Sequence, residues 1–256
     1  MISVCILTKN SEKTIEKTLN SCKTFSEVIL LDTGSSDLTL SIARNYPNVS
    51  VYKRPFSGFG ELRNHLATLA SNDWILALDS DEEVSPELIE EFTSLSLDSR
   101  FVYSIPRKNF LNKKWIRGCG WWPDRVKRLY NRKKTKFNHA MVHESLEESK
   151  TILLKHPLFH TPYRSTEEFL AKMQHYSSLF AEQYKGKRKS SFKKALGHGF
   201  FAFFKSYLLK RGFLDGKEGF IISLYNANTA FYKYLKLYEL TTFGSPCRQE
   251  IHRSKA

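Results

Sequence analysis

The chain has 256 residues, of which 41% are hydrophobic and 26% charged, which excludes a disordered polymer and fits a globular core of one large domain or one domain with an extension. Its four cysteines are far apart and form no C-x-x-C pair, which excludes a disulfide framework or zinc finger and favours a reduced cytosolic setting. The net charge of +14 is unevenly divided, with −6 in residues 1–100 and +20 in residues 101–256. A basic second part favours a polyanionic partner, either nucleic acid or an anionic membrane.

The ends of the chain give no sign of membrane insertion. Residues 1–9 lack the basic start and small-residue cleavage site of a signal peptide and are expected to form a buried strand. The longest uncharged stretch in the C-terminal part, residues 219–232, is shorter than the roughly 20 apolar residues that a spanning helix needs. We therefore expect no transmembrane segment.

Strand and helix signals alternate through the first 106 residues. Short apolar runs predict strands over residues 2–7, 28–31, 49–52, 74–78 and 101–105, the last stopped by Pro106. Helical spacing predicts helices over residues 11–21, 38–44 and 61–70, and one that starts at Ser85-Pro86. This alternation predicts an α/β fold with a mostly parallel sheet flanked by helices. Further helices are predicted over residues 166–184, 192–210 and 219–240.

The predicted strand ends carry the candidate ligand-binding residues. They are Thr8-Lys9-Asn10, Asp32-Thr33-Gly34-Ser35 and Asp79-Ser80-Asp81. Ligands of open α/β sheets bind at the carboxyl ends of the strands, so these segments are expected to line one crevice.

Asp79 and Asp81 are the strongest signal. Two carboxylates two residues apart, directly after a buried strand, suit a divalent cation shared with a substrate diphosphate, because such a site needs only one or two protein ligands. The alternative is a solvated acidic turn before a helix. The position of the pair after an apolar strand favours the metal hypothesis.

Asp32 and Arg63 offer weaker signals. Asp32 could accept from a nucleotide base or a ribose hydroxyl, or it could simply cap its own turn. Arg63 follows the Gly58-Phe59-Gly60 turn and could reach a phosphate, or it could be an exposed helix arginine. The pattern is neither G-x-G-x-x-G nor a P-loop.

Two later segments offer general bases. Asp124 follows two tryptophans and a proline, and an acid beside aromatic rings is a base candidate. His143-Glu144 offers a second base or an additional metal ligand, or else a surface strand pair.

The motifs together resemble the family 2 glycosyltransferases with the GT-A fold, a Rossmann-like sheet. The shared patterns include those at residues 4–10, 31–37, 58–64 and 74–82. More specifically the chain resembles the small bacterial branch that includes lipopolysaccharide core β-1,4-glucosyltransferases. That branch carries patterns similar to Gly120-Trp121-Trp122-Pro123-Asp124, Val142-His143-Glu144 and residues 211–216 and 234–239.

The resemblance implies an inverting transfer of a sugar, in this branch a hexose such as glucose, from a nucleotide-diphosphate sugar. A UDP-sugar is the donor expected first. It implies that Thr8, Lys9, Asn10 and Asp32 bind the nucleotide and that Arg63 steadies the diphosphate. Asp79 and Asp81 would form a D-x-D motif on Mg²⁺ or Mn²⁺, with Asp81 the favoured direct ligand and His143 completing the shell. Asp124 is the first choice of base and Glu144 the second. The implied acceptor is a saccharide of the lipopolysaccharide inner core or another lipid-linked glycan.

This resemblance gives residues 1–150 as the catalytic domain and residues 151–256 as a basic helical extension for the acceptor or the membrane. Within residues 185–211, basic residues flank an aromatic run, which predicts a helix on an anionic bilayer and a peripheral location on the inner face of the cytoplasmic membrane. The alternative is packing of the aromatic run onto the catalytic domain.

Other functions stay open at this point. The α/β part could be the scaffold of a nucleic-acid or polyanion binder, although the acidic first 100 residues speak against nucleic acid as a partner. A polyprenyl phosphate or a peptide could also be the acceptor of a glycosyltransferase.

Overall fold

The computed structural model describes residues 1–138, 145–147 and 150–244. The chain forms two compact units, the first comprising Met1–Phe110 with Pro123–Pro162 and the second Leu111–Trp122 with the chain from Tyr163 onward. These units do not divide at residue 150. The first continues to Pro162 because two short strands after residue 150 pair with its sheet.

The described elements follow the predicted alternation in the first unit. The strands are β1 (Ile2–Thr8), β2 (Val28–Asp32), β3 (Val49–Lys53), β4 (Trp74–Asp79), β5 (Glu82–Val84), β6 (Phe101–Leu111), β7 (Lys114–Trp115), β8 (Asp124–Asn131), β9 (Lys150–Leu153) and β10 (Leu158–His160). The helices are α1 (Ile15–Ser21), α2 (Thr39–Ala43), α3 (Phe59–Leu69), α4 (Pro86–Ser94), α5 (Thr166–Tyr184), α6 (Phe192–Phe204) and α7 (Gly216–Thr242).

The sheet of the first unit is mixed but mostly parallel. Its strands pair in the order β3-β2-β1-β4-β8-β6-β10-β5, and β9 pairs with β6. Strands β1, β2, β3 and β4 are parallel to their neighbours in that group, as are β9 and β10 to β6, whereas β8 is antiparallel to β4 and β6. The predicted α/β fold with a mostly parallel sheet flanked by helices is confirmed.

Alternate residues of β1 supply the two faces of the core. Val4 and Ile6 join the cluster that includes residues of α1 and α4, while Cys5 and Leu7 join the cluster beneath α3. Successive side chains of a strand point to opposite faces, so a fully apolar strand needs helices on both sides.

The expectation that Pro106 ends a strand is wrong. β6 continues through it to Leu111. The parallel register with β9 ends at Ser104 and the register with β10 begins at Arg107. Pro106 therefore falls between two partner strands, where the missing N–H of proline costs no ladder hydrogen bond on that edge.

The second unit is mainly helical. The predicted helix over residues 166–184 is confirmed as α5, and Ser165 and Ser191 cap α5 and α6 by accepting from backbone N–H groups. The second predicted helix changes at Lys205 into a π turn over Lys205–Leu209, and a 3₁₀ turn over Gly212–Asp215 precedes α7. In the part of the chain that the structure describes, no helix is both long and apolar enough to cross a membrane.

Candidate active site at the strand ends

The predicted strand-end segments lie at one edge of the sheet. In the parallel pairing of β1 with β2, Thr8 lies beside Asp32, and in the pairing of β1 with β4, Leu7 lies beside Asp79. The loops that follow are joined by side chains, because the hydroxyls of Ser11 and Ser80 are 2.7 Å apart. The three segments therefore lie at one edge of the sheet, and the expectation that they line a ligand-binding crevice stays a prediction.

The Asn10 and Asp32 loops are held together by hydrogen bonds. The backbone N–H of Asn10 donates to Ser35 Oγ at 2.8 Å, and Asn10 Oδ1 accepts from the N–H of Ser36 at 2.9 Å. Asp32 is 2% exposed and accepts from the backbone N–H groups of Gly34 and Ser35. Its carboxylate thus fixes its own turn.

Thr8 and Lys9 differ in exposure. Thr8 Oγ1 is buried and has no hydrogen-bond partner among the residues that the structure describes, while Lys9 is exposed. A buried hydroxyl without a partner is costly unless a ligand satisfies it. This edge therefore offers a polar atom for a bound molecule.

Asp79 lies between two buried guanidiniums. Arg63, on α3, donates to Asp79 Oδ1 at 2.5 Å, and Arg128, on β8, donates to Asp79 Oδ2. Arg63 is only 4% exposed, which overturns the alternative of a solvated helix arginine. Burial raises the pKa of the Asp79 carboxyl, but Arg128 and Arg63 outweigh it, so the pKa lies well below its usual range.

Glu82 is the buried centre of the charge network. It is 0% exposed, and its Oε1 accepts from Arg128 at 2.7 Å and from Arg107 at 2.8 Å. Its Oε2 accepts from the backbone N–H of Asp79 at 3.0 Å. Burial lowers the pKa of Arg107, but Glu82 and Asp124 raise it further, so the guanidinium is held in its charged form.

Arg107 links Glu82 to Asp124, and contacts of Asn109 and His160 link Asp124 to Asp81. Asp124 Oδ2 accepts from Arg107 Nε at 2.8 Å and from Asn109 Nδ2 at 2.9 Å. Asn109 Oδ1 is 2.6 Å from His160 Nδ1, and His160 Nε2 is 3.5 Å from Asp81 Oδ2. The carboxylates of Asp79, Asp81 and Asp124 are therefore joined through one continuous set of side-chain contacts.

A family model matches the first part of the chain. Residues 3–146, more than half of the chain, match the model described as glycosyl transferase family 2. The chain belongs to this family.

Relatives extend the family match over nearly the whole chain. An uncharacterized glycosyltransferase of Rickettsia bellii is 31% identical over 96% of this chain and 88% of its own length. The lipopolysaccharide core biosynthesis glycosyltransferase LpsC of Rhizobium meliloti is 24% identical over 93% of this chain and 92% of its own length.

Solved structures also resemble this family 2 transferase. Staphylococcus aureus TarS is 20% identical, with a TM-score of 0.47, over 94% of this chain and 54% of that chain. TarS residues 1–349 in complex with UDP-GlcNAc is 18% identical, with a TM-score of 0.46, over 95% of this chain and 92% of that chain.

The donor set at Asp81 and His160 fits a divalent cation in this transferase. One carboxylate oxygen and one imidazole nitrogen face each other, and both side chains are partly accessible. Within the described ranges no group of three or more His, Cys, Asp and Glu residues suited to a metal lies together. A cation shared with a diphosphate needs only one or two protein ligands, so two are enough. Asp79 fits less well, since each of its oxygens already accepts from an arginine.

Sequence reasoning missed five residues of this site: Glu82, Arg107, Asn109, Arg128 and His160. Each lies on a strand far along the chain from its partner, and no local motif indicates the pairing. His143 and Glu144, the predicted additional ligand and second base, lie outside the described residues.

Proposed function

We propose that this glycosyltransferase moves a hexose, such as glucose, from a nucleotide-diphosphate sugar with inversion at the anomeric carbon. A UDP-sugar is the first candidate for the donor. The acceptor is a saccharide of the lipopolysaccharide inner core or another lipid-linked glycan. The observation that carries the proposal is the continuous side-chain network that joins Asp81 to Asp124. The likeness to LpsC, a lipopolysaccharide core biosynthesis glycosyltransferase, supports the acceptor class.

The donor would lie along the strand ends. Thr8, Lys9, Asn10 and Asp32 would bind the base and ribose, and the unpartnered hydroxyl of Thr8 supports a ligand there. Arg63 would steady the diphosphate while it holds Asp79. Since Asp79 is already paired with two arginines, its first role in the proposal is to orient the turn that carries Asp81.

Asp81 and His160 would hold Mg²⁺ or Mn²⁺, which offsets the charge of the departing diphosphate when bound. The predicted third ligand, His143, stays a proposal.

Asp124 would act as general base. In the proposed step its carboxylate takes the proton of an acceptor hydroxyl, whose oxygen forms a bond to the anomeric carbon. The bond from that carbon to the diphosphate oxygen breaks, and the nucleoside diphosphate leaves. Arg107 and Asn109 both donate to Oδ2 of Asp124, which fixes the orientation of the carboxylate. Glu144 is the second candidate.

The proposed location is the cytoplasm, peripheral on the inner face of the cytoplasmic membrane, where a lipid-linked acceptor would lie. The net charge of +20 in residues 101–256 supports attraction to anionic lipid.

The test is a panel of nucleotide sugars with Mn²⁺ or Mg²⁺, measured by release of nucleoside diphosphate. We expect slow release from one UDP-hexose without acceptor, and its loss in EDTA. Inner-core saccharide should accelerate release, and the product should have the inverted anomeric configuration by NMR. Stronger acceleration by polyprenyl phosphate or by a peptide would identify that compound, and not the inner-core saccharide, as the acceptor. Retention on nucleic acid at moderate salt, with no release from any donor, would favour a polyanion binder instead.

A further inference from the structure

The region that comprises the end of α6 and the turn to α7 exposes large apolar side chains. Its most prominent members are half exposed or more, with relative exposures of 76% at Phe200, 57% at Phe201, 63% at Leu209 and 68% at Leu214. We call the exposed side chains of this region the turn surface: Phe200, Phe201, Phe204, Leu209, Phe213 and Leu214. Contiguous exposed apolar surface of this kind marks a place where something binds.

Ring contacts link the segments that carry the turn surface, and Phe213 is the member of that surface that takes part in them. The ring centroids of Phe203 and Tyr207 are 5.4 Å apart, and those of Tyr207 and Phe213 are 6.4 Å apart. Phe203 also contacts Phe220 of α7 at 5.7 Å. The helix, the π turn and the 3₁₀ turn therefore present one surface.

Small and polar residues join the π turn to the start of α7, whereas rings meet farther along the two helices, as in the Phe192–Phe231 and His198–Tyr234 pairs. Ser223 Oγ donates to Ser206 Oγ at 3.1 Å, and Asn226 Nδ2 donates to the same hydroxyl at 2.9 Å. A Cβ added to Gly219 would lie 1.8 Å from the carbonyl oxygen of Gly212, so the turn closes only because residue 219 is glycine.

Among the described residues no helix is long and apolar enough to cross a bilayer. The exposed apolar side chains of the turn surface therefore suit the boundary of a bilayer and not its interior.

The charges around the turn surface have one sign. Residues 185–217 contain ten Lys or Arg residues and a single acid, Asp215. Asp215 is buried, and its carboxylate accepts from the backbone N–H of Gly118 at 2.6 Å. The exposed basic residues nearest in sequence to the turn surface are Lys193, Lys194, Lys205, Lys210, Arg211 and Lys217.

We infer that the turn surface inserts into the headgroup region of an anionic bilayer, where the surrounding lysines and arginines form ionic contacts with the lipid phosphates. A second copy of the chain would bring like charges together, and a nucleic-acid duplex would pair with the basic residues but leave the apolar side chains uncovered. An anionic bilayer can cover the apolar side chains and also pair with the surrounding positive charges. The inference specifies the membrane location proposed above and does not depend on the transfer chemistry.

The test is co-sedimentation of the full chain with vesicles of phosphatidylcholine, with and without phosphatidylglycerol, at low salt. Phe200→Ser with Phe201→Ser should weaken binding to the anionic vesicles about tenfold or more, because two large apolar side chains no longer leave water. Leu170→Ser with Leu179→Ser removes two exposed leucines of α5 and should leave binding unchanged.

A second pair of variants tests the charge. Lys193→Gln with Lys205→Gln should weaken binding to anionic vesicles about 25-fold at low salt, at about fivefold per lysine. Lys13→Gln with Lys17→Gln, exposed on the first unit, should bind as the wild type does. Added salt should reduce wild-type binding.

Three results would overturn the inference: no binding of the wild type to anionic vesicles, equal binding to both kinds of vesicle, or full binding by the phenylalanine variant. A wild-type dimer that becomes monomeric in that variant would assign the surface to a second copy. Donor hydrolysis without vesicles separates this outcome from the transfer chemistry. The phenylalanine variant should hydrolyse donor at the wild-type rate, and a wild type that binds vesicles but releases no nucleoside diphosphate would contradict only the proposed transfer.

Discussion

The strand-end network and the turn surface place their side chains in opposite ways. At the strand ends, charged residues are buried, with Glu82, Arg63 and Arg128 0%, 4% and 7% exposed, and each is neutralised inside the protein. At the turn surface, Phe200 and Leu214 are apolar and exposed. Buried charges must find partners within the fold, whereas exposed apolar groups are free for a partner outside it. The charges at the strand ends are therefore paired inside the protein, whereas the apolar side chains of the turn surface are available to a partner outside it.

Glu82→Gln tests the first half of this comparison and should have the largest effect on stability. It removes the carboxylate shared by the buried Arg128 and the partly buried Arg107, so that each guanidinium loses one charged partner. We expect a loss of about 3–5 kcal/mol in the free energy of unfolding, measured by urea denaturation.

Glu83→Gln is the matched control on the same strand, where the side chain is partly exposed. It should change the free energy of unfolding by about 0.5 kcal/mol or less. Equal losses in the two variants would mean that the network does not stabilise the fold.

Asp124→Asn separates the chemical role of the network from its structural one. The amide keeps the shape and an acceptor for Arg107 but cannot take a proton. We expect turnover to fall by about 100-fold or more with little change in donor affinity, measured by steady-state kinetics and nucleotide titration. If Glu144→Gln shows the larger loss of turnover, the two residues exchange roles.

Phe200→Ser with Phe201→Ser tests the second half and should have the smallest effect. Both side chains already face solvent, so the free energy of unfolding should stay within about 0.5 kcal/mol of the wild type. A loss as large as that of Glu82→Gln would show that these rings pack inside the protein after all.

The sequence was sufficient for the parts of the site that lie at strand ends. β1, β2 and β4 are apolar runs, and parallel pairing brings Thr8, Asp32 and Asp79 to one edge by a general rule. The charge network between these strand ends could not be predicted from the sequence. Glu82 pairs with Arg107 and Arg128, which are 25 and 46 residues away, and the antiparallel return of β8 that brings Arg128 back has no local signal.

The turn surface shows a different limit. The basic and aromatic pattern predicted a helix there, but two outcomes stayed open, a membrane-facing surface or packing onto the catalytic domain. Helical periodicity cannot decide between them when phenylalanines occupy several faces. The exposure of Phe200 and Phe201, 76% and 57%, supports a membrane-facing surface, which the vesicle experiment tests.

The central claim is that Asp81 and His160 bind a divalent cation together with a nucleoside diphosphate. Calorimetric titration of UDP into the full chain, with Mn²⁺ and with EDTA, tests it directly. We expect tighter binding with Mn²⁺ in the wild type and in Glu83→Gln, and loss of that gain in Asp81→Ala and in His160→Ala. The thermal unfolding of the wild type and the three variants should be alike. Metal-dependent binding that survives in Asp81→Ala, or wild-type binding that is the same with and without Mn²⁺, would contradict it.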